Sequence, residues 1–128
     1  MNSKRLNGFL PFLLSLVIIM LFTSGCTKTA SPEIKQVVTD MREGFNDQNI
    51  ELFLRHFSDV MFTSRKNSTT YMDLIRKYRK KYGIWESEKY MGQIGEEHIW
   101  KVKCIKGKLK MALIFNDNYE VIGFDFRK

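Results

Sequence analysis

Three spacing regimes of apolar residues divide the chain. Phe9 to Phe22 is an almost unbroken apolar run. From Ile34 to Tyr82 apolar residues recur every three or four positions, the period of one helix face. From Ile84 onward the period is two, the signature of strands with one buried face. The helical stretch resolves into three elements. Ser31-Pro32-Glu33 supplies a cap hydroxyl, a proline at the first position and an acid in the first turn. Ile34, Val37, Val38, Met41 and Phe45 then mark a helix ending near Asn46 to Gln48. Asn49 is placed to cap a short second helix carrying Ile50, Leu52, Phe53, Leu54 and Phe57. Ser58 to Ser64 reads as a turn or a short strand, and Arg65 to Ser68 as a loop. Thr69 or Thr70 is expected to cap a third helix with Tyr71, Leu74, Ile75, Tyr78 and Tyr82 on one stripe, stopped by Gly83.

Four strands follow. They are expected at Ile84–Ile94, His98–Lys106, Lys108–Asn116 and Tyr119–Arg127, with turns at Gly95-Glu96-Glu97, Lys106-Gly107 and Asn116-Asp117-Asn118. Trp100, Val102 and Cys104 alternate with Lys101 and Lys103; Leu109, Met111, Leu113 and Phe115 alternate with Lys108, Lys110, Ala112 and Ile114. Ile122, Phe124 and Phe126 are placed on the inner side, and Ala112, Ile114 and Val121 on the outer. The expectation is an α+β domain, three N-terminal helices packed on a four-stranded antiparallel sheet.

The first regime belongs to a different part of the protein. Lys4 and Arg5 precede the run, and its fourteen residues would span roughly 21 Å as a helix. That falls short of a hydrocarbon core of about 30 Å, which favours a cleaved signal over a permanent span. Thr23-Ser24-Gly25-Cys26 follows and resembles a bacterial lipoprotein lipobox, with Thr23 where Leu is usual. Lipid transfer alkylates a thiol, so Cys26 is the expected lipidation site. The boundaries read as a signal peptide over 1–25, a lipidated tether over 26–31 and a domain over 32–128. The protein is then expected on a cell membrane or outer membrane, anchored on the extracytoplasmic side.

Composition narrows the classes. A chain of 128 residues with 44% hydrophobic and 13% aromatic side chains holds one core and is not disordered. Two Cys and two His leave neither a disulfide framework nor a metal set, and no cofactor is expected. The net charge of +7 becomes +5 once Lys4 and Arg5 are removed with the signal. The remaining cations gather at Arg76, Lys77, Arg79, Lys80 and Lys81 and at Lys101, Lys103, Lys106, Lys108 and Lys110. For an exported protein such patches fit anionic lipid or a cell-wall polymer, and nucleic acid is excluded by location.

The ordered set of features resembles the nuclear-transport-factor-2-like superfamily, also called SnoaL-like or cystatin-like α+β. Within it the nearest pattern is a bacterial secreted domain of unknown function found beside serine hydrolases. The resemblance runs from about Ile34 to Phe126. It rests on Phe45-Asn46-Asp47, Leu52-Phe53, Phe57-Ser58-Asp59-Val60-Met61-Phe62, Tyr82-Gly83, Lys106-Gly107-Lys108-Leu109 and the ending Ile114 to Phe124. The strand pair usual between the second and third helices is shortened to Ser58–Ser64. The resemblance implies a cone-shaped domain with a small-molecule pocket between helices and sheet. Carried onto this chain, that pocket is lined by Phe53, Phe57, Met61, Trp85, Trp100, Met111 and Phe124. It also implies association through the sheet, with a second copy or another protein.

Chemistry-bearing residues are few. The ten inner positions of strands two to four carry no carboxylate and no imidazole, and a general base needs a titratable group within reach of substrate. His56 and Asp59, near the pocket mouth, are the one candidate catalytic pair. His98 opens a strand and is expected to be exposed. Cys104 is expected to pack as a small apolar residue. The reading is a membrane-tethered, non-enzymatic binding or accessory module for a small apolar ligand or a protein partner. The alternatives are an isomerase, hydratase or cyclase of the superfamily kind, and a basic envelope protein.

Overall fold

A computed structural model describes residues 29–128. The signal peptide, Cys26 and most of the tether lie outside the described residues. Among the described residues no helix is long and apolar enough to cross a membrane.

Helix α1 spans Pro32–Asp47, α2 spans Ile50–Phe53 and α3 spans Ser68–Tyr82. Strands β1 (Trp85–Ile94), β2 (Glu97–Cys104), β3 (Gly107–Phe115) and β4 (Val121–Arg127) follow. They form an open antiparallel sheet in the order β1-β2-β3-β4. The molecule is thus α+β, three helices packed on four antiparallel strands.

The caps follow the local sequence. Ser31 Oγ accepts from the Ile34 amide at 3.4 Å, with Pro32 at the first helical position. Gln48 closes α1 in the left-handed region at φ 51°, donating its amide to the Gly44 and Phe45 carbonyls. Asn49 Oδ1 accepts from Leu52 N at 3.2 Å and starts α2. Asn67, rather than Thr69 or Thr70, caps α3, accepting from Thr70 N at 3.1 Å. The Thr70 hydroxyl is drawn back to the Arg65 carbonyl at 3.0 Å and is not free to cap.

Gly44 sets the distance between α1 and α2. A Cβ there would lie 2.5 Å from Phe53 N, 2.8 Å from Phe53 Cα and 2.9 Å from the Asn49 carbonyl oxygen. Only a residue without a side chain lets the short helix pack this closely. The other end of α1 is tied to the sheet by Asn46. Its side-chain amide donates to the Trp85 carbonyl at 2.9 Å and accepts from Trp85 N at 2.8 Å, standing in for a strand partner.

One core joins the layers. Val37, Met41 and Phe45 of α1, Phe53 of α2 and Ile75 of α3 pack with Trp85, Val102, Met111, Leu113 and Val121, each at most 1% exposed. Each such side chain contributes about 1.5–3 kcal/mol by leaving water.

Two expected elements change, and one open alternative is resolved. The second helix stops at Phe53, and Phe57 instead bridges Val121 in parallel, with Ser58 N donating to the Val121 carbonyl at 2.9 Å and Val121 N to the His56 carbonyl at 2.8 Å. Ser58–Ser64, read as a turn or a short strand, is the turn: a single 3-10 turn at Asp59–Met61. The fourth strand begins at Val121, because Tyr119 turns with φ 59°. A register shift between Ile114 and Phe115 then pairs Phe115 with Val121 but Ile114 with Gly123. Val121 is therefore core at 0% exposure, while Ile122, expected inside, is 39% exposed.

Candidate functional site

The alternation of β2 carries one position further than Trp100. His98 is two residues before it and stands on the same inner face, half-buried, rather than exposed as a strand start suggests. The face assigned no imidazole therefore has one. Its partner comes from β1, where register shifts flank the pairs Glu88↔Val102 and Tyr90↔Trp100. This register brings Tyr90 Oη to 2.7 Å from His98 Nδ1. The two rings lie 5.9 Å apart and nearly parallel, at 26°. Trp100 packs on Tyr90 at 5.1 Å, and Phe115 meets His98 edge-on at 5.5 Å. Four rings from β1, β2 and β3 thus make one aromatic wall.

The wall faces an open groove of about 440 Å³, bordered also by Thr29 to Ser31 and Ile34 at the start of α1 and by Asn116, Asp117 and Tyr119 of the β3–β4 turn. A second hollow of about 280 Å³ adjoins it through Thr29, Ala30 and Tyr90 and reaches Trp100 and Glu88. Burial pushes the Tyr90 phenol above its ordinary pKa and the His98 imidazole below its own. Both groups are then neutral at neutral pH. With Nδ1 engaged by the phenol, Nε2 has no protein hydrogen-bond partner among the described residues; it is a donor where the phenol donates to Nδ1 and an acceptor where Nδ1–H donates to the phenol. The groove therefore offers apolar area together with one directed polar atom. Glu88 brings no free charge to it. Arg42 donates to both Glu88 carboxylate oxygens, at 2.8 and 3.0 Å, and Trp85 Nε1 donates to Oε2 at 2.9 Å.

His56 and Asp59 are not brought together as a pair. Asp59 opens the 3-10 turn and is exposed. His56 Nε2 lies 2.6 Å from Asp40 Oδ2, while Gln36 Nε2 donates to Oδ1 at 3.0 Å and Arg55 stands 3.6 Å away. Asp40, at 5% exposure, is the buried charged residue of the described chain. The cluster pins the segment after α2 to the flank of α1. Sequence reasoning missed Asp40; the available signal was its position three residues after Val37 and one before Met41, at the edge of the apolar stripe.

The seven residues assigned to a pocket do not surround one cavity. Phe53, Phe57, Trp85, Trp100 and Met111 are buried in the core, and Met61 and Phe124 are half-buried against it. Phe53, Phe57 and Phe124 occupy the space between themselves, with centroids 5.8–5.9 Å apart. Of the seven, Trp100 reaches the hollow beside Tyr90, and Met61 and Phe124 border a separate groove of about 230 Å³ against α3. Cys104 is 4% exposed, its thiol pushed up by burial first and then by Glu86, against the opposing pull of Arg79. That is the environment of an inert packed thiol. Among the described residues no cluster of His, Cys, Asp and Glu could hold a metal ion.

Comparison with known proteins is sparse. No protein-family model matches the chain, and no curated protein sequence does. Among solved structures, AclR, a "putative hydroxylase" from Streptomyces galilaeus, superposes with a TM-score of 0.48 at 13% identity, over 77% of this chain and 81% of that one. Bd1075 from Bdellovibrio bacteriovorus superposes with a TM-score of 0.41 at 14% identity, over 73% of this chain and 39% of that one. Neither likeness supports an activity for this chain.

Proposed function

We propose that this chain is a lipid-tethered, extracytoplasmic binding module of the nuclear-transport-factor-2-like superfamily, with a cone-shaped, cystatin-like domain over 32–128. The order of three helices followed by an antiparallel meander supports the family. The tether is read from Lys4 and Arg5, the run Phe9 to Phe22 and Thr23-Ser24-Gly25-Cys26, with a signal over 1–25 and acylation at Cys26. The ligand is a small flat molecule. The observation that carries this is the aromatic wall of Tyr90, His98, Trp100 and Phe115, with His98 Nε2 as its open polar atom. Flat apolar area with one directed polar atom suits recognition by stacking and a single hydrogen bond.

One observation favours the enzyme reading, an isomerase, hydratase or cyclase: Tyr90 and His98 are titratable and adjacent inside the groove. A general base works best in a water-excluded site, and this groove is open, so binding is the better account. The experiment has two parts. Full-length protein expressed with its leader should show the mass of an acylated chain beginning at Cys26, and Cys26→Ser should remain uncleaved; wild type retaining Met1 to Gly25 without acyl mass refutes the tether. A screen of planar heteroaromatic fragments, read by thermal shift, should yield hits that Tyr90→Phe weakens and His98→Phe abolishes. Hits indifferent to both variants refute the groove.

A further inference from the structure

The outer face of the sheet carries two cross-strand rows of basic residues. Arg127, directly opposite Lys110, is the one member already paired with acids among the described residues. It donates to Asp125 at 2.9 Å on its own strand and to Glu97 at 2.8 Å on β2, an ion pair that must pass over β3. Ala112 lies beneath that crossing, paired with Asp125 and Ile99 in register and 4% exposed. In the same row Lys101 stands directly opposite Lys110, and in the next row Lys103 stands directly opposite Lys108. Lys89 extends the first row on β1. All five are exposed, and among the described residues none makes an ion pair. Strands about 4.8 Å apart hold these ammonium groups abreast, and like charges placed directly opposite work against the sheet. A shallow hollow of about 220 Å³ lies among Lys101, Lys108, Lys110 and Lys128. Lys128 also borders a neighbouring hollow with Lys77 and Lys81 of α3. The cationic surface therefore continues from the sheet onto the helix, and no Asp or Glu side chain lines either hollow.

We propose that this surface binds a linear polyanion, a polymer with repeated phosphate or carboxylate charges, separately from the aromatic groove. Charge complementarity selects an anion, and the breadth of the surface across β2, β3, Lys128 and α3 selects a polymer over a single ion. Distance along the sheet favours a polymer over a bilayer. The described chain begins at Thr29, beside Tyr90 and His98. Lys103 is five residues beyond His98 on β2, about 17 Å away at ~3.3 Å per residue. An anchor at Cys26 would be at most about 11 Å of chain from Thr29. The Lys103–Lys108 row then stands farther from the Thr29 end than a screening length of about 8 Å, so a flat surface at the anchor does not engage both rows and a polymer does. This choice of occupant rests on the proposed lipid anchor; the charge pattern does not.

The test uses the full-length chain in non-ionic detergent with long-chain inorganic polyphosphate as probe. Binding should weaken by roughly tenfold or more between 50 and 200 mM salt, as released counterions require. Lys101→Gln/Lys108→Gln/Lys110→Gln should bind at least tenfold more weakly with a flatter salt dependence, while its melting temperature holds or rises as the opposed charges are removed. Arg65→Gln/Lys66→Gln, on a loop, should bind as wild type does. Vesicles of phosphatidylglycerol in phosphatidylcholine form the second arm. Equal polyphosphate affinity for wild type and the triple variant overturns the proposal, as does binding to the vesicles without binding to polyphosphate. Tyr90→Phe should leave polyphosphate binding intact, so failure of the groove and failure of this surface are separate results.

Discussion

Gly44→Ala sets two physical effects against each other. In an ordinary helix interior the change gains about 1 kcal/mol, because alanine loses less backbone freedom than glycine. Here the added methyl would meet three backbone atoms of α2 at 2.5, 2.8 and 2.9 Å, where ordinary contact begins at 3.4 Å. No rotamer relieves a clash between a Cβ and backbone, so α2 must retreat by up to 0.9 Å at the closest atom. That retreat strains the Asn49 amide's bond to the Gly44 carbonyl, at 2.8 Å, and lifts Phe53 from a site where it is 1% exposed. It also draws His56 away from Asp40. Overpacking of this kind costs about 1–3 kcal/mol, and rigid backbone on both sides puts this site at the upper end. The net expectation is a loss of about 2 kcal/mol, or roughly 10 °C in melting temperature for a domain of this size. Circular dichroism melts of wild type and variant measure it. A higher melting temperature for Gly44→Ala would mean that α1 and α2 are not in close contact.

Leu113→Ala, at 0% exposure, should cost about 2–5 kcal/mol, whereas Lys110→Ala on the outer face should cost roughly 0.5 kcal/mol or less; equal losses in urea unfolding would put the β3 register in error by one residue. His98 should give stability a pH dependence of known sign. Its folded pKa lies below the ordinary 6.5, so on acidification the unfolded chain takes the proton first. The contribution is complete above 6.5 and is lost as pH falls from 6.5 toward the folded value. Melting curves of wild type against His98→Phe between about pH 7.5 and pH 5 isolate it, since His56 is common to both. Wild type should lose ground to the variant on acidification, and parallel curves would refute the assignment.

The helices were legible wherever a face repeats without interruption. Ile34, Val37, Val38, Met41 and Phe45 define α1, and the caps at Ser31 and Asn49 were readable from residue type alone. The alternation in β2 and β3 fixed which side faces the core. What alternation does not encode is a change of register. The shift after Ile114 exchanged Val121 and Ile122 between faces, and nothing in the run Val121-Ile122-Gly123 marks it. The groove was missed for a related reason. Tyr90 and His98 meet only across a β1–β2 pairing with its own register shifts, so their contact is a tertiary fact. His98 itself was within reach, being two residues from Trp100 in an unbroken strand. Asp40 and His56 are sixteen residues apart in different segments, and only the packing of α2 against Gly44 makes them neighbours.

The Phe57–Val121 bridge has a consequence for solubility. An open sheet has two edge strands, and unpaired edge amides are templates for other chains. At the start of β4 the amide and carbonyl of Val121 are both taken by the segment His56–Ser58, so that edge cannot be extended from its beginning. On β1 the register shifts at Trp85/Ser87 and Tyr90/Gly92 break the even comb of donors and acceptors that a recruited strand would need. Both rims of the sheet are thus poor seeds for cross-β growth, and a crowded population of these molecules would meet through side-chain surfaces instead of through shared backbone ladders.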